Sequence, residues 1–161
     1  MRYGFFFAAI TGLTLALAPG SAWASHYAVG DVPSLISAGD AEKLKKGGVT
    51  TTEEMLGKAA TAKDRKALAK ASGLSGATIM TIAKRCDLLR VKGIGPEMVL
   101  LLEAAGVKTA GELAKKDPAA LTTATDQANK AKKITEKPPT EPQFKDWIDQ
   151  AKALPATVEG K

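Results

Sequence analysis

Apolar residues recur along much of the chain at the three- and four-residue spacing of an α-helix. One apolar stripe follows Ser75 and consists of Ile79, Ile82, Cys86 and Leu89. A second stripe consists of Phe144, Trp147, Ile148, Ala151 and Leu154. Period-two alternation, which is typical of half-buried strands, is not sustained after residue 24. The pattern predicts an all-α fold of about eight short helices, with these stripes facing the core.

Helix-start signals accompany the stripes. Thr140 and Gln143 form a predicted capping box, in which each side chain satisfies a backbone amide of the other residue. Asp117 precedes Pro118, an arrangement typical of an N-cap followed by proline at the first helical position. We therefore expect helices to begin near Thr140 and Pro118.

A weak internal repeat relates two stretches at an offset of 58 residues. LISAGDAEKLKKGGVTTTEEML aligns with GIGPEMVLLLEAAGVKTAGELA, which pairs Ile36 with Ile94, Leu44 with Leu102, Gly48 with Gly106, Val49 with Val107, Thr51 with Thr109, and Glu54 with Glu112. The threonine and glutamate pairs predict capping boxes, and the glycines suit the left-handed position after a helix. The sequence thus predicts two pseudo-repeats, each made of a helix, a tight glycine turn and a helix.

The second copy contains Gly93-Ile94-Gly95 directly before an apolar helix, and this pattern resembles the helix-hairpin-helix motif. Glycine lets a backbone approach a phosphate closely, and helix N-terminal amides attract anions. Ile94 is expected to fill the core, while Arg90 and Lys92 flank the hairpin. The predicted nucleic-acid-binding residues are Arg90, Lys92, Gly93, Ile94 and Gly95. The alternative is that the glycines only permit a tight turn.

The first copy has Leu35-Ile36-Ser37 at the corresponding positions. Leucine replaces the first glycine, so this hairpin is expected to pack without binding a phosphate.

The stretch from 32 to 155 resembles a bacterial family known as a helix-hairpin-helix domain of unknown function. The resemblance rests on Gly93-Ile94-Gly95, on the AGVKTAGEL stretch after it, and on a closing DWIDQAKALP helix. It implies a fold with a helix-hairpin-helix element in each pseudo-repeat, but no settled activity. A looser resemblance, of parts only, is to exported helix-hairpin-helix receptors that bind incoming DNA during natural transformation.

The first 24 residues have the order of a cleaved secretory signal peptide. Arg2 precedes an apolar run, Pro19 and Gly20 end it, and Ala22-Trp23-Ala24 supplies small residues for cleavage. A retained membrane anchor is the alternative, but the run is shorter than a spanning helix requires. We expect a periplasmic or secreted protein without stable membrane insertion after cleavage, comprising a flexible start at 25–32, one tandem domain at 33–155 and a tail at 156–161.

Composition adds little about activity. The net charge of +6 suits a polyanionic partner but is common in soluble proteins. His26 is the only histidine and Cys86 the only cysteine, so no catalytic or metal-binding constellation is expected, and no cofactor. The leading hypothesis is an exported, non-enzymatic protein that binds duplex DNA through backbone phosphates without sequence preference. The alternative is a structural or protein-interaction module that does not bind nucleic acid.

Overall fold

The computed structural model describes residues 26–158, and this part of the chain is all-helical, as predicted. Its eight helices are α1 (Ala38–Lys46), α2 (Thr52–Ala59), α3 (Ala62–Ser72), α4 (Gly76–Leu88), α5 (Pro96–Ala104), α6 (Ala110–Leu113), α7 (Pro118–Lys132) and α8 (Glu141–Ala153). The predicted signal peptide, residues 1–24, lies outside the described residues. None of the described helices has the length and apolar character needed to cross a bilayer.

Local side-chain chemistry sets most helix starts. The predicted N-cap is confirmed at Asp117, whose Oδ1 accepts a hydrogen bond of 2.9 Å from the amide of Ala120. The capping box at Thr140 is also confirmed, because its amide donates to Gln143 Oε1 at 2.9 Å. At Thr51 the side chain accepts from the Glu54 amide at 3.1 Å, and Glu54 in turn accepts from the Thr51 amide at 3.3 Å.

Glycine ends two of the helices with the predicted left-handed geometry. Gly48 follows α1 with φ +77°, and Gly106 follows α5 with φ +81°. The next residue closes each turn: the Val49 amide donates to the Leu44 carbonyl at 2.9 Å, and Val107 donates to Leu102 at 2.8 Å. These positive φ values favour glycine because a Cβ would crowd the backbone.

The helices pack in two groups around a shared core. The main contacts of α4 are with α2 and α3, whereas α8 packs on α6 and α7, and α5 packs on α7. Both predicted apolar stripes point inward, and the rings of Phe144 and Trp147 meet edge to face with centroids 5.5 Å apart. Cys86 is a buried free thiol, and burial, assisted by the charge of Asp87, raises its pKa to about 12. The cysteine therefore belongs to the core.

Arg85 links the two groups. Its guanidinium makes bidentate hydrogen bonds of 2.9–3.1 Å to Glu103 on α5. Its Nη1 also donates to the Leu35 carbonyl at 2.6 Å. The partly buried side chain of Arg85 thus connects α4 both to α5 and to the segment that precedes α1.

The residues expected to form a flexible start are instead packed against α2. Val29 and Val32 are buried, so the segment contributes apolar surface to the core. Backbone hydrogen bonds of 2.9 Å join Val29 to Thr50 and Thr52 to Tyr27. The beginning of the predicted tail is also attached, because Thr157 donates to Asp87 at 3.1 Å.

Candidate nucleic-acid interface

Residues 93–95, called the 93–95 segment below, lie in the connection between α4 and α5. The chain turns through backbone hydrogen bonds of 3.1 Å, from Val91 to the Leu88 carbonyl and from Ile94 to the Val91 carbonyl. Val91 and Ile94 are buried, whereas Lys92 and Gly93 are exposed. Ile94 is therefore a core residue, as expected, and any contact with a ligand would come from its neighbours.

The helix that follows begins without a side-chain cap. Gly95 is the N-cap residue of α5, has no side-chain oxygen to offer, and precedes Pro96, which has no amide hydrogen. A Cβ built at Gly95 meets nothing within 4 Å, so the surface above it is open. An uncapped helix N-terminus attracts anions through its free amides and its dipole, although the exposed carboxylate of Glu97 opposes this attraction.

Helix α8 forms hydrogen bonds with Lys92, the residue that precedes this segment. The Lys92 amide donates to Gln150 Oε1 at 2.9 Å, and Gln150 Nε2 donates back to the Lys92 carbonyl at 3.3 Å. Gln150 Nε2 also donates to Asp146 on the same helix at 2.8 Å. The amide side chain of Gln150 therefore fixes both backbone polar groups of Lys92, which preorganises the backbone at this position.

Gly93 faces Trp147 of helix α8. Its φ of +94° lies in the left-handed region, and a Cβ placed on it would lie 2.8 Å from the indole Nε1 of Trp147. Glycine is thus required twice, for its conformation and for its lack of a side chain. Sequence reasoning assigned Trp147 only to the core stripe and missed this contact, as it missed the brace by Gln150.

Arg90 does not face the open surface. Its Nη1 donates to Asp87 Oδ1 at 2.7 Å and to the Pro155 carbonyl at 3.0 Å, and it also contacts Thr157 Oγ1. Only 13% of the Arg90 side chain and 5% of the Asp87 side chain are exposed. The expectation that Arg90 would flank a phosphate is therefore corrected: the nearby carboxylate draws the guanidinium inward, an outcome that the i, i+3 spacing could have indicated.

The corresponding residues 35–37, called the 35–37 segment, are arranged differently. Leu35 is buried, and its carbonyl accepts the hydrogen bond from Arg85. Ser37 Oγ accepts from the Asp40 amide at 3.2 Å and donates to the Asp40 carboxylate at 2.8 Å. The start of α1 is thus capped by Ser37 and carries the carboxylate of Asp40. The cap occupies a backbone amide and the carboxylate is negative, so both features disfavour the binding of an anion.

Other candidate chemistry is sparse in the described part of the chain. Arg65 of α3 is buried, and it donates to the Ala59 and Ala60 carbonyls at the end of α2. Across residues 26–158, no three histidine, cysteine or acidic side chains come together as metal ligands would.

The fold and this surface define an all-helical domain in which the last helix braces an exposed, uncapped helix start. The chain belongs to a family described as a domain of unknown function, DUF4332, which matches residues 35–154. That range contains both segments and the α8 side chains that contact the second one. The chain has no match among curated proteins and none among solved structures.

Proposed function

We propose that this protein binds duplex DNA without sequence preference, through backbone phosphates at the 93–95 segment. It acts as a non-enzymatic, exported protein of the periplasm or extracellular space. The observation that carries the proposal is the uncapped start of α5, which combines open space over Gly95 with exposed Lys92 and Gly93. Phosphate contacts of this kind come from backbone amides, helix N-termini and lysines.

A tandem arrangement of two helix-hairpin-helix elements is part of the proposal. Its support is the equivalent local geometry at an offset of 58 residues. The turns at Gly48 and Gly106 share their positive φ, and the Thr50 and Lys108 amides each donate to the following capping glutamate at 2.7 Å. On this view the two elements have a common origin, and only the second has kept an open helix start.

The absence of sequence preference follows from the kind of groups available. Backbone amides and a lysine contact phosphates, which are the same in every sequence. Phe144 and Trp147 are buried in the core, so neither ring can stack on an unpaired base. Double-stranded DNA is therefore preferred over single strands as the ligand.

The second candidate is a protein-interaction module, favoured by a shallow groove between α4, α5 and the end of α7. Half-buried apolar side chains of Met80, Leu100 and Ile134 line it. Lysines surround them, namely Lys84, Lys108 and Lys132. A partner with an apolar patch and an acidic rim would fit this groove without any use of the 93–95 segment.

A salt-dependent titration distinguishes the two candidates. The purified protein is added to fluorescent duplexes of two unrelated sequences at several salt concentrations. We expect equal affinity for both duplexes and a linear fall of log K with log salt, at about 0.9 per phosphate neutralised. Absence of binding at roughly 50 mM salt, where screening is weak, would overturn the DNA hypothesis in favour of the interaction module.

A further inference from the structure

The shallow groove between α4, α5 and the end of α7 has an apolar floor that the core uses only in part. Its apolar lining has a volume of about 600 Å³ beside it and consists of Met80, Leu100, Ala104 and Ile134. All four residues are half-buried, so each keeps apolar surface exposed to solvent. Leu100 also packs against the core, whereas Met80 and Ile134 do not within residues 26–158. The packing of the domain therefore does not account for these two side chains.

Helix α5 has more apolar surface than its own packing covers. Residues 98–102 are all apolar, and three of them are buried, namely Val99, Leu101 and Leu102. Leu100 and Ala104, one turn apart, lie instead on the side that lines the groove. A helix that is apolar on every side is normally covered on every side. Since α4 packs mainly on α2 and α3, and α5 on α7, the groove between them is left open by the described helices.

Three lysines stand at the rim of this groove without an acidic partner. Lys84 lies on α4, Lys108 follows α5, and Lys132 is the last residue of α7. Their ammonium groups form no hydrogen bond or ion pair with any residue of the described part of the chain. Arg85 and Glu103 also line the groove, but they neutralise each other through their bidentate contact. The groove therefore carries three uncompensated positive charges around an apolar floor.

Local hydrogen bonds fix the backbone at one end of the floor. Lys133 follows α7 with φ +50°, which is uncommon for a residue other than glycine. Asn129 holds the turn after it: its Oδ1 accepts from the Ile134 and Thr135 amides, and its Nδ2 donates to the Thr135 carbonyl, all at 2.9 Å. The backbone that carries Ile134 is thus in place before a ligand arrives, which lowers the entropic cost of binding.

We propose that this groove binds an acidic amphipathic helix of a partner protein. Apolar residues of that helix, spaced by three and four positions, cover Met80, Leu100 and Ile134, while carboxylates on its flanks pair with the rim lysines. The inference rests on the second candidate function and uses none of residues 93–95. A symmetric contact between two copies of this chain is disfavoured, because it brings two positive rims together. Duplex DNA gains nothing from the apolar floor, since its phosphates interact only with the lysines.

The experiment uses a synthetic peptide of about 18 residues, with leucines on one helical face and glutamates on both flanks. The methionine methyl groups of the protein are labelled with ¹³C, and the Met80 signal is identified by its loss in Met80→Leu. We expect the peptide to shift this signal and to leave unmoved the signal of Met55, which is fully buried in the core. A peptide with lysine in place of each glutamate should not bind, because the rim repels it.

Two sets of substitutions separate the rim from the rest of the surface. The first set removes the rim charge and comprises Lys84→Gln, Lys108→Gln and Lys132→Gln. The second set removes the same charge from exposed positions of α3 and comprises Lys63→Gln, Lys66→Gln and Lys70→Gln. We expect about tenfold weaker peptide binding for the first set and a change of less than about twofold for the second. Thermal unfolding checks that both triple variants are folded.

The outcomes separate this inference from the DNA hypothesis. An unmoved Met80 signal, or equal weakening in both sets of variants, overturns the groove as the site of the peptide. If duplex DNA or vesicles of anionic phospholipid move the Met80 signal and the peptide does not, the groove holds that ligand and the inference is wrong. Failure of the peptide leaves the DNA hypothesis standing, because duplex titration of Gly95→Leu tests that hypothesis at a different surface.

Discussion

The 35–37 and 93–95 segments each precede a helix of nine residues, yet only the first segment supplies a side chain that caps its helix. In the first, Ser37 caps the helix and the Leu35 carbonyl is taken by Arg85, so the chemistry is satisfied internally. In the second, the helix start is uncapped, and Gly93 packs directly against the indole ring of Trp147. The aligned segments therefore differ both in backbone conformation, since only Gly93 has a positive φ, and in whether the following helix is capped.

Three aligned positions account for most of this difference. Leu35 corresponds to Gly93, Ser37 to Gly95, and Ser34 to Lys92. The first exchange replaces buried apolar surface with exposed backbone, the second removes a cap, and the third adds a positive charge. Small changes in side-chain size and polarity are thus enough to separate a packing element from a candidate binding element.

The largest expected effect is on stability. Leu35→Ala should lower the free energy of unfolding by about 2–5 kcal/mol, because it leaves a cavity in the core, while duplex affinity stays unchanged. Gly93→Ala should cost about 1–2 kcal/mol through its left-handed φ, and it should also weaken duplex binding, because its Cβ would lie 2.8 Å from Trp147 Nε1 and force the segment to shift. Urea unfolding and duplex titration measure the two properties. If Leu35→Ala and Gly93→Ala lost duplex binding to the same extent, the two segments would not differ in their contact with DNA.

The next effect concerns affinity. Gly95→Leu is accommodated by the fold, because φ is −96° and the space is open, but its side chain blocks the start of α5. We expect duplex binding to weaken by about tenfold or more, which is 1.4 kcal/mol for each factor of ten. Circular dichroism should show unchanged helicity.

Ser37→Leu is the matched control for Gly95→Leu. It should cost about 1 kcal/mol of stability through the lost cap and leave affinity unaltered. If this variant weakened duplex binding as much as Gly95→Leu, the first segment would also contact DNA.

The smallest effect is on salt dependence. Lys92→Ala should weaken binding equally for all duplex sequences and make the slope of log K against log salt shallower by about one unit. Ser34→Lys places a lysine at the aligned position of the first segment and should leave the slope unchanged. If the slope changed in Ser34→Lys but not in Lys92→Ala, the phosphate contacts would lie at the 35–37 segment, and their assignment to the 93–95 segment would be wrong.

Features set by neighbours in the chain could be predicted from sequence. The caps at Asp117 and Thr140 and the turns at Gly48 and Gly106 depend on residues within four or five positions, so residue type and spacing suffice. The apolar stripes are equally local, because helical periodicity determines which side faces the core.

Features that join distant parts of the chain could not be predicted in the same way. Gln150 lies 58 positions from Lys92, and nothing in their local sequences indicates the contact. The attachment of Val29 to Thr50 and the inward turn of Arg90 toward the residues near Pro155 are likewise tertiary. For Trp147, periodicity indicated burial correctly, but burial of a ring does not reveal where its one polar atom points.

The brace by Gln150 also bears on the order of assembly. Helices α4 and α5 are adjacent in the chain, so they can form and meet early, whereas Gln150 and Trp147 arrive from a helix that begins at Glu141. Contacts across such separations form only after the intervening loop has closed. A chain whose synthesis or folding has not reached α8 therefore has the glycines but lacks the contacts from Gln150 and Trp147, so the proposed binding of DNA would require completed folding.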